Sequence, residues 1–318
     1  MVDSPHLWVG ITDHDWFKLH ASKPEVDEVN FWRPSSRFGF NALKWSEPFL
    51  FKLHSPRNFI VDGGFFTKFL RLPVSLAWEA FGEANGARTL DEVRVRIGKY
   101  RAEPIGEDED PVIGCILLEE PFFFQESDWI PNPSDFKGPT QTGKSYDMSS
   151  GTGLMLWKGV TARLVKARAS AMAPGPSTVA AQESTRFGKP ILVTPRLGQG
   201  SFRVLVTDAY DYRCAMTSER TLPVLEAAHI RPFSKDGPHE LSNGLLLRSD
   251  LHKLFDLGYM TVDPHEKTII VSSRIREEYE NGRAYYELDG KPLAEPQNRL
   301  AIPSLENLRY HAEHIFRS

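Results

Sequence analysis

The residues best suited to chemistry share one window, AAHIRPFSKDGPHELSNGLLLRSDLHKLFDLG, from Ala227 to Gly258. His229 ends an apolar, strand-like run, VLEAAHI, which Pro232 stops because proline has no amide proton for a β-ladder. Asn243 follows in a turn 14 residues on, and His252 comes 9 after that. Asp256 lies four beyond His252, and on a helix that spacing sets an imidazole and a carboxylate on one face, able to hold a divalent cation together. Leu251, Leu254 and Phe255 take the other side and pack the helix down, and Gly258 is a natural helix stop.

This text resembles the HNH, or ββα-metal, endonuclease family, in the variant written roughly AHI…NGLLL…LH…FD. The likeness covers about 45 residues from Cys214 to Gly258 and, more loosely, the whole C-terminal part. It implies hydrolysis of a phosphodiester in DNA. Carried over by residue, the catalytic positions are His229, Asn243 and His252. His229 would be the general base that deprotonates water, a role that suits a neutral imidazole with a pKa near ~6.5. Asn243 would hold the loop bearing His229, while His252 and Asp256 would ligate Mg²⁺ or Mn²⁺ with water completing the shell.

Two departures from the family pattern stand out. Many members place a further ligand just before the base, where this chain has Ala228; Glu226, two residues earlier on the same side of the strand, is the candidate substitute. Many members also bind a structural zinc through CxxC pairs, whereas Cys214 is followed by Ala215, Met216 and Thr217 and reads as a small buried hydrophobe. His239 reads as a loop residue, and His311 and His314 as helix-surface groups.

The elements needed to position these residues can be traced in the rest of the chain. A helix is expected near Gly200–Tyr212, another near Ser249–Leu257, strands at YMTV and TIIVSS, and a last helix N-capped by Ser304. In the first half, LWVGIT, PFLFKLH, NFIVDGGFF and PVIGCILLEE read as strands, and Gly63 and Gly64 mark a bulge or close backbone approach. Ser75–Ala84 and Thr89–Arg101 read as helices, the second opened by a Thr89/Glu92 capping box. Pro131–Gly153 reads as a long loop and Leu154–Ala169 as a helix. The fold class is α+β. Residues 1–170 should form a curved β-sheet or barrel with flanking helices, 171–186 a linker rich in small residues and Pro, and 187–318 the ββα-metal domain.

At 318 residues the chain has room for two cores, and its net charge of −4 gives no global field to draw in a polyanion, so DNA contact must be local. Arg203, Arg231 and Lys235 are the leading phosphate contacts, with Arg186, Lys189, Arg196 and Arg213 nearby. Two distant cysteines exclude a disulfide framework and fit a reducing compartment, so a cytoplasmic protein with no membrane span is expected.

The first half resembles the N-terminal region of bacterial restriction endonucleases that carry an HNH domain, and its order of strands and helices is similar to the PUA, EVE and SRA-like group. That resemblance implies an aromatic pocket for a flipped base in double-stranded DNA. Asn30 and Trp32, with Asp128 and Trp129, supply the stacking faces and hydrogen-bonding groups that a modified base needs, and Phe65, Phe66, Phe122 and Phe123 read as core. The expected activity is modification-dependent restriction. Two alternatives stay open: an HNH nuclease that reads unmodified sequence, and an inactive DNA-binding protein, the latter motivated by Ala228. One site cuts one strand at a time, so a homodimer or two visits would be needed for a double-strand break.

Overall fold

A computed structural model describes residues 4–23, 26–101, 105–106, 109–136, 142–171, 197–235 and 237–318. The expected linker from residue 172 onward, and with it Arg186, Lys189 and Arg196, lies outside the described residues. The chain divides into two compact units, Met1–Val193 and Thr194–Ser318.

The first unit is built on one mixed sheet. Its elements are β1 (His6–Thr12), α1 (His14–Ala21), β2 (Glu28–Arg33), β3 (Pro48–Leu53), β4 (Phe59–Pro73), α2 (Val74–Phe81), α3 (Leu90–Tyr100), β5 (Val112–Phe123), β6 (Ile130–Pro131), β7 (Gly143–Asp147) and α4 (Gly151–Ala171). The strand order is β2-β5-β4-β3-β1-β7, with β6 on β4; β1 runs parallel to β3, and the other pairs are antiparallel. Successive side chains of β3 separate the two cores, as the period of two requires. Leu50 packs with Leu7, Val9 and Ile60 and with Leu156 and Val160 of α4. Phe49 and Phe51 pack on the opposite face with Trp16 of α1, Phe40, Phe66 and Ile116.

Three expectations change here. The sheet path ends at β2 and β7, which do not pair, so the sheet is open and forms no closed barrel. The segment taken as one long loop holds β7, a polar edge strand whose one buried residue, Tyr146, is too sparse a signal for alternation. Of the four phenylalanines assigned to core, only Phe66 is fully buried. Gly63 does both things expected of it: register shifts between Gly63 and Phe65, and a Cβ on Gly63 would sit 2.5 Å from the Phe122 ring and 2.8 Å from the Phe49 carbonyl oxygen.

The second unit contains α5 (Gln199–Ala209), β8 (Leu225–His229), β9 (Gly244–Arg248), α6 (Ser249–Asp256), β10 (Met260–Val262), β11 (Ile269–Val271), α7 (Arg274–Tyr279), α8 (Arg283–Tyr286) and α9 (Leu305–His314). The β8–β9 hairpin leads directly into α6, the ββα order that the resemblance implied. Leu245, Leu246 and Leu247 are all fully buried, so β9 is covered on both faces. Helix α5 packs Phe202 and Val206 against Gly244, where any Cβ would come 2.5 Å from Val206 Cγ2. Cys214 is buried and free.

Candidate active site

His229 is the last residue of β8 and pairs with Gly244. Because that partner has no side chain, the Phe202 ring lies flat against the imidazole, 4.0 Å between centroids and 6° between planes. His239 meets the same imidazole edge-on at 5.1 Å. His229 Nε2 is buried without a hydrogen-bond partner among the described residues. Burial, then the neighbouring His239 and His252, lowers the pKa of His229 to about 4, so the ring is neutral across the physiological range.

Asn243 is fully buried beneath the turn that follows His229. Its Oδ1 accepts from the Arg231 amide at 2.8 Å, and its Nδ2 donates to the Arg231 and Pro238 carbonyls, each at 2.9 Å. The Ile230 amide donates to the Asn243 carbonyl at 2.9 Å. One carboxamide thus ties both ends of the loop between β8 and β9. The Leu197 amide adds a bond to the His239 carbonyl at 3.1 Å.

On α6, His252 Nε2 stands 3.4 Å from Asp256 Oδ2, the i,i+4 neighbour. His252 Nδ1 lies 2.6 Å from Glu226 Oε2. A carboxylate only accepts, and each ring nitrogen of His252 faces one, Nδ1 toward Glu226 and Nε2 toward Asp256. Glu226 therefore supports His252 from behind, which differs from the direct ligand role considered for it. Ala228 is fully buried opposite Leu245, so a carboxylate at that position would point into the core. Burial raises the Asp256 pKa, opposed by the charges of His252 and Lys253.

Among the described residues no group of three or more His, Cys, Asp and Glu side chains is gathered for a metal. His252 Nε2 and Asp256 Oδ2, 3.4 Å apart, nevertheless form a two-donor pair at chelating separation. Two protein donors with water making up the rest suit a hard, hydrated ion such as Mg²⁺ or Mn²⁺.

The residues from Cys214 to Asp263 match the family described as HNH endonuclease, at 214–263. Over those residues the chain is similar to HNH endonuclease domains, which supports a nuclease. DNA is the substrate that such a domain implies, and His229, Asn243, His252 and Asp256 all fall inside the matched residues. No curated protein matches the chain.

The expected phosphate contacts stand as follows in the second unit. Arg231 lies over the Tyr310 ring at 4.6 Å, with Nε donating to the Lys235 carbonyl at 2.9 Å and Nη1 3.9 Å from Glu306. Lys235 is exposed, and Arg203 is half-buried on α5. Two site neighbours escaped the sequence reading, Phe202 and His239. Their only signals were an aromatic residue next to Arg203 and another histidine inside the same window. His311 is a correction: it is 1% exposed, with Nε2 donating to the Phe255 carbonyl at 3.1 Å and Nδ1 accepting from Thr261 Oγ1 at 2.9 Å.

In the first unit, the four residues expected at a base pocket fall into two pairs, Asn30 with Trp32 and Asp128 with Trp129, that line no common cavity. Asn30 is fully buried, its Nδ2 donating to Asn85 Oδ1 at 2.9 Å and contacting Cys115 Sγ at 3.4 Å. Trp32 Nε1 donates to the Asn85 carbonyl at 2.9 Å, and its ring lines a cavity of about 560 Å³ with Trp8, Phe31, Phe40 and Phe49. Asp128 is paired with Lys166 at 2.8 Å. Trp129 lines a different cavity, and its Nε1 donates to the Phe124 carbonyl at 3.2 Å. Among the described residues no helix is long and apolar enough to cross a membrane.

Proposed function

We propose that the protein is a metal-dependent DNA endonuclease in which His229 is the general base and the first unit selects the target by holding a modified base. The observation that carries the catalytic reading is His229 itself, a neutral imidazole with an unsatisfied Nε2 beside the His252–Asp256 pair. A buried lone pair of this kind is satisfied when a donor such as the attacking water is admitted, and Nε2 then takes the proton as oxygen attacks phosphorus. Asn243 holds the loop, Phe202 and His239 fix the plane of the base, and Glu226 orients the His252 ring through Nδ1. When bound at His252 and Asp256, Mg²⁺ or Mn²⁺ supplies charge stabilisation to the phosphate and the leaving oxygen.

For the first unit, the aromatic cavity around Trp32 supports a base seat. Trp8 and Phe40 meet at 5.3 Å and 89°, and Arg33, Asp13 and Tyr100 bring hydrogen-bonding groups to its wall. The division of labour at 1–170, 171–186 and 187–318 belongs to the same proposal.

Cleavage of modified and unmodified plasmids in Mg²⁺ or Mn²⁺ tests both parts. His229→Ala should lower the rate by about 10² or more. Trp32→Ala should remove the preference for modified DNA and leave cutting intact. Equal cutting of both substrates by the unaltered protein sinks the sensor role, and absence of cutting on every substrate sinks the nuclease role.

A further inference from the structure

The first unit has a second cavity, of about 880 Å³, beside the N-terminal half of α1. Its walls combine aromatic surface with cationic charge. Trp129 is half-buried and packs against Phe59 at 5.9 Å and Phe17 at 5.7 Å, and Phe59 is exposed at the rim. Lys18 and Arg57 line the same space, and neither forms an ion pair among the described residues. Arg57 reaches the His14 ring, so a guanidinium and an imidazole stand together without a carboxylate between them. Of the anions near His14, Glu126 also lines the cavity and Asp15 lies on α1. Helix α1 separates this space from the Trp32 cavity: Trp16 lines one, while Phe17 and Lys18 line the other.

An occupant must offer a flat π face and an anion a few ångströms away from it. Lys18 and Arg57 outnumber the one carboxylate of the lining, Glu126, and that surplus of positive charge favours a phosphate, while exposed aromatic surface favours a stacked base, the pairing used for single-stranded nucleic acid. We propose that the Trp129 cavity binds a nucleotide, its base stacked against Trp129 and Phe59 and its 5′-phosphate held by Arg57 and Lys18. The source is either a free nucleotide or a strand of DNA whose neighbouring base occupies the Trp32 cavity. Only the second source rests on the base-reading role proposed above.

The test uses the full chain. Binding of dAMP, deoxyadenosine and inorganic phosphate is measured by calorimetry, and binding of a labelled single-stranded hexadeoxynucleotide by anisotropy over a salt series. Expected is dAMP binding about tenfold or more tighter than either fragment. Lys18→Ala with Arg57→Ala should weaken dAMP about tenfold and flatten the salt slope for the hexamer by about 1. Phe59→Ala should weaken both ligands about tenfold; Phe59 is chosen because it is exposed at the rim, whereas Trp129 packs into the core. The base-reading role is read separately, as the preference for modified over unmodified plasmid in the cleavage assay, so its loss and loss of this site are distinguishable. Hexamer binding with the same variant losses assigns the site to a DNA strand, and dAMP binding without hexamer binding assigns it to a free nucleotide. The proposal is overturned if neither ligand binds, or if binding is indifferent to the charge and Phe59 variants.

Discussion

His229 is kept a base by its surroundings. A histidine at a strand end ordinarily titrates near ~6.5, but here burial between Phe202 and His239 lowers its pKa to about 4. An NMR titration of the metal-free protein should therefore find His229 still neutral at pH 5, and a midpoint above 6 would contradict the buried setting. Asn243 differs in kind, because it touches only backbone. Its three side-chain hydrogen bonds are buried, so Asn243→Ala leaves loop groups unpaired and should cost about 1–3 kcal/mol in denaturant unfolding. The same variant should lower cleavage by disordering the Arg231–Pro238 loop; full activity at full stability would remove Asn243 from the positioning role.

At the scale of elements, α6 is set by its ends as much as by its apolar face. Arg248 forks onto Asp250 at 2.6 and 2.7 Å at the N-terminus, where an acidic first turn complements the helix dipole. At the other end Gly258 has φ +77, and a Cβ there would lie 2.1 Å from the Ile315 carbonyl oxygen. Arg317 donates its amide to the Gly258 carbonyl at 2.8 Å, so the chain terminus closes over the helix end. Gly258→Ala combines left-handed strain with a backbone clash and should destabilise the protein by at least about 1 kcal/mol, read as a lower Tm. Helix α3 is simpler. Thr89 Oγ1 accepts from the Glu92 amide at 3.1 Å, and Thr89→Ala should cost about 1 kcal/mol.

For the whole molecule, each unit buries ionisable groups that link stability to pH. His20 in the first unit and His311 in the second have pKa values lowered to about 4 by burial. The unfolded chain binds protons below about 6.5 and the folded chain does not until about 4, so stability falls as pH drops through that window. For His311 the loss amounts to about 3 kcal/mol by pH 4, and His311→Gln should flatten the acid limb of thermal unfolding. Asp62 acts in the opposite sense. Both of its oxygens are buried without a hydrogen-bond partner among the described residues, and burial holds the carboxyl well above the usual carboxylate range. Its unfavourable linkage is absent below the unfolded pKa and grows as pH rises toward the folded one, so Asp62→Asn should raise Tm at pH 7.

The sequence by itself determined the order and spacing of the chemical groups, because a strand ending at His229, a turn at Asn243 and a helical i,i+4 pair at His252 and Asp256 are local facts. It also determined most strands of the first unit, whose apolar runs are unambiguous. Tertiary structure alone decided which surfaces those groups meet. Phe202 stacks on His229 only because Gly244 leaves room across the hairpin, and Glu226 faces Nδ1 of His252 only once β8 and α6 are packed. The same holds for the aromatic residues near Trp32 and Trp129. Trp32 and Trp129 read alike in the sequence, as aromatic residues beside polar ones, and only the fold decides that Trp32, on β2, and Trp129, just before β6, line different cavities. A β7 with one buried residue and a sheet that stays open were invisible for a related reason: edge pairing depends on distant strands, not on the residues being paired.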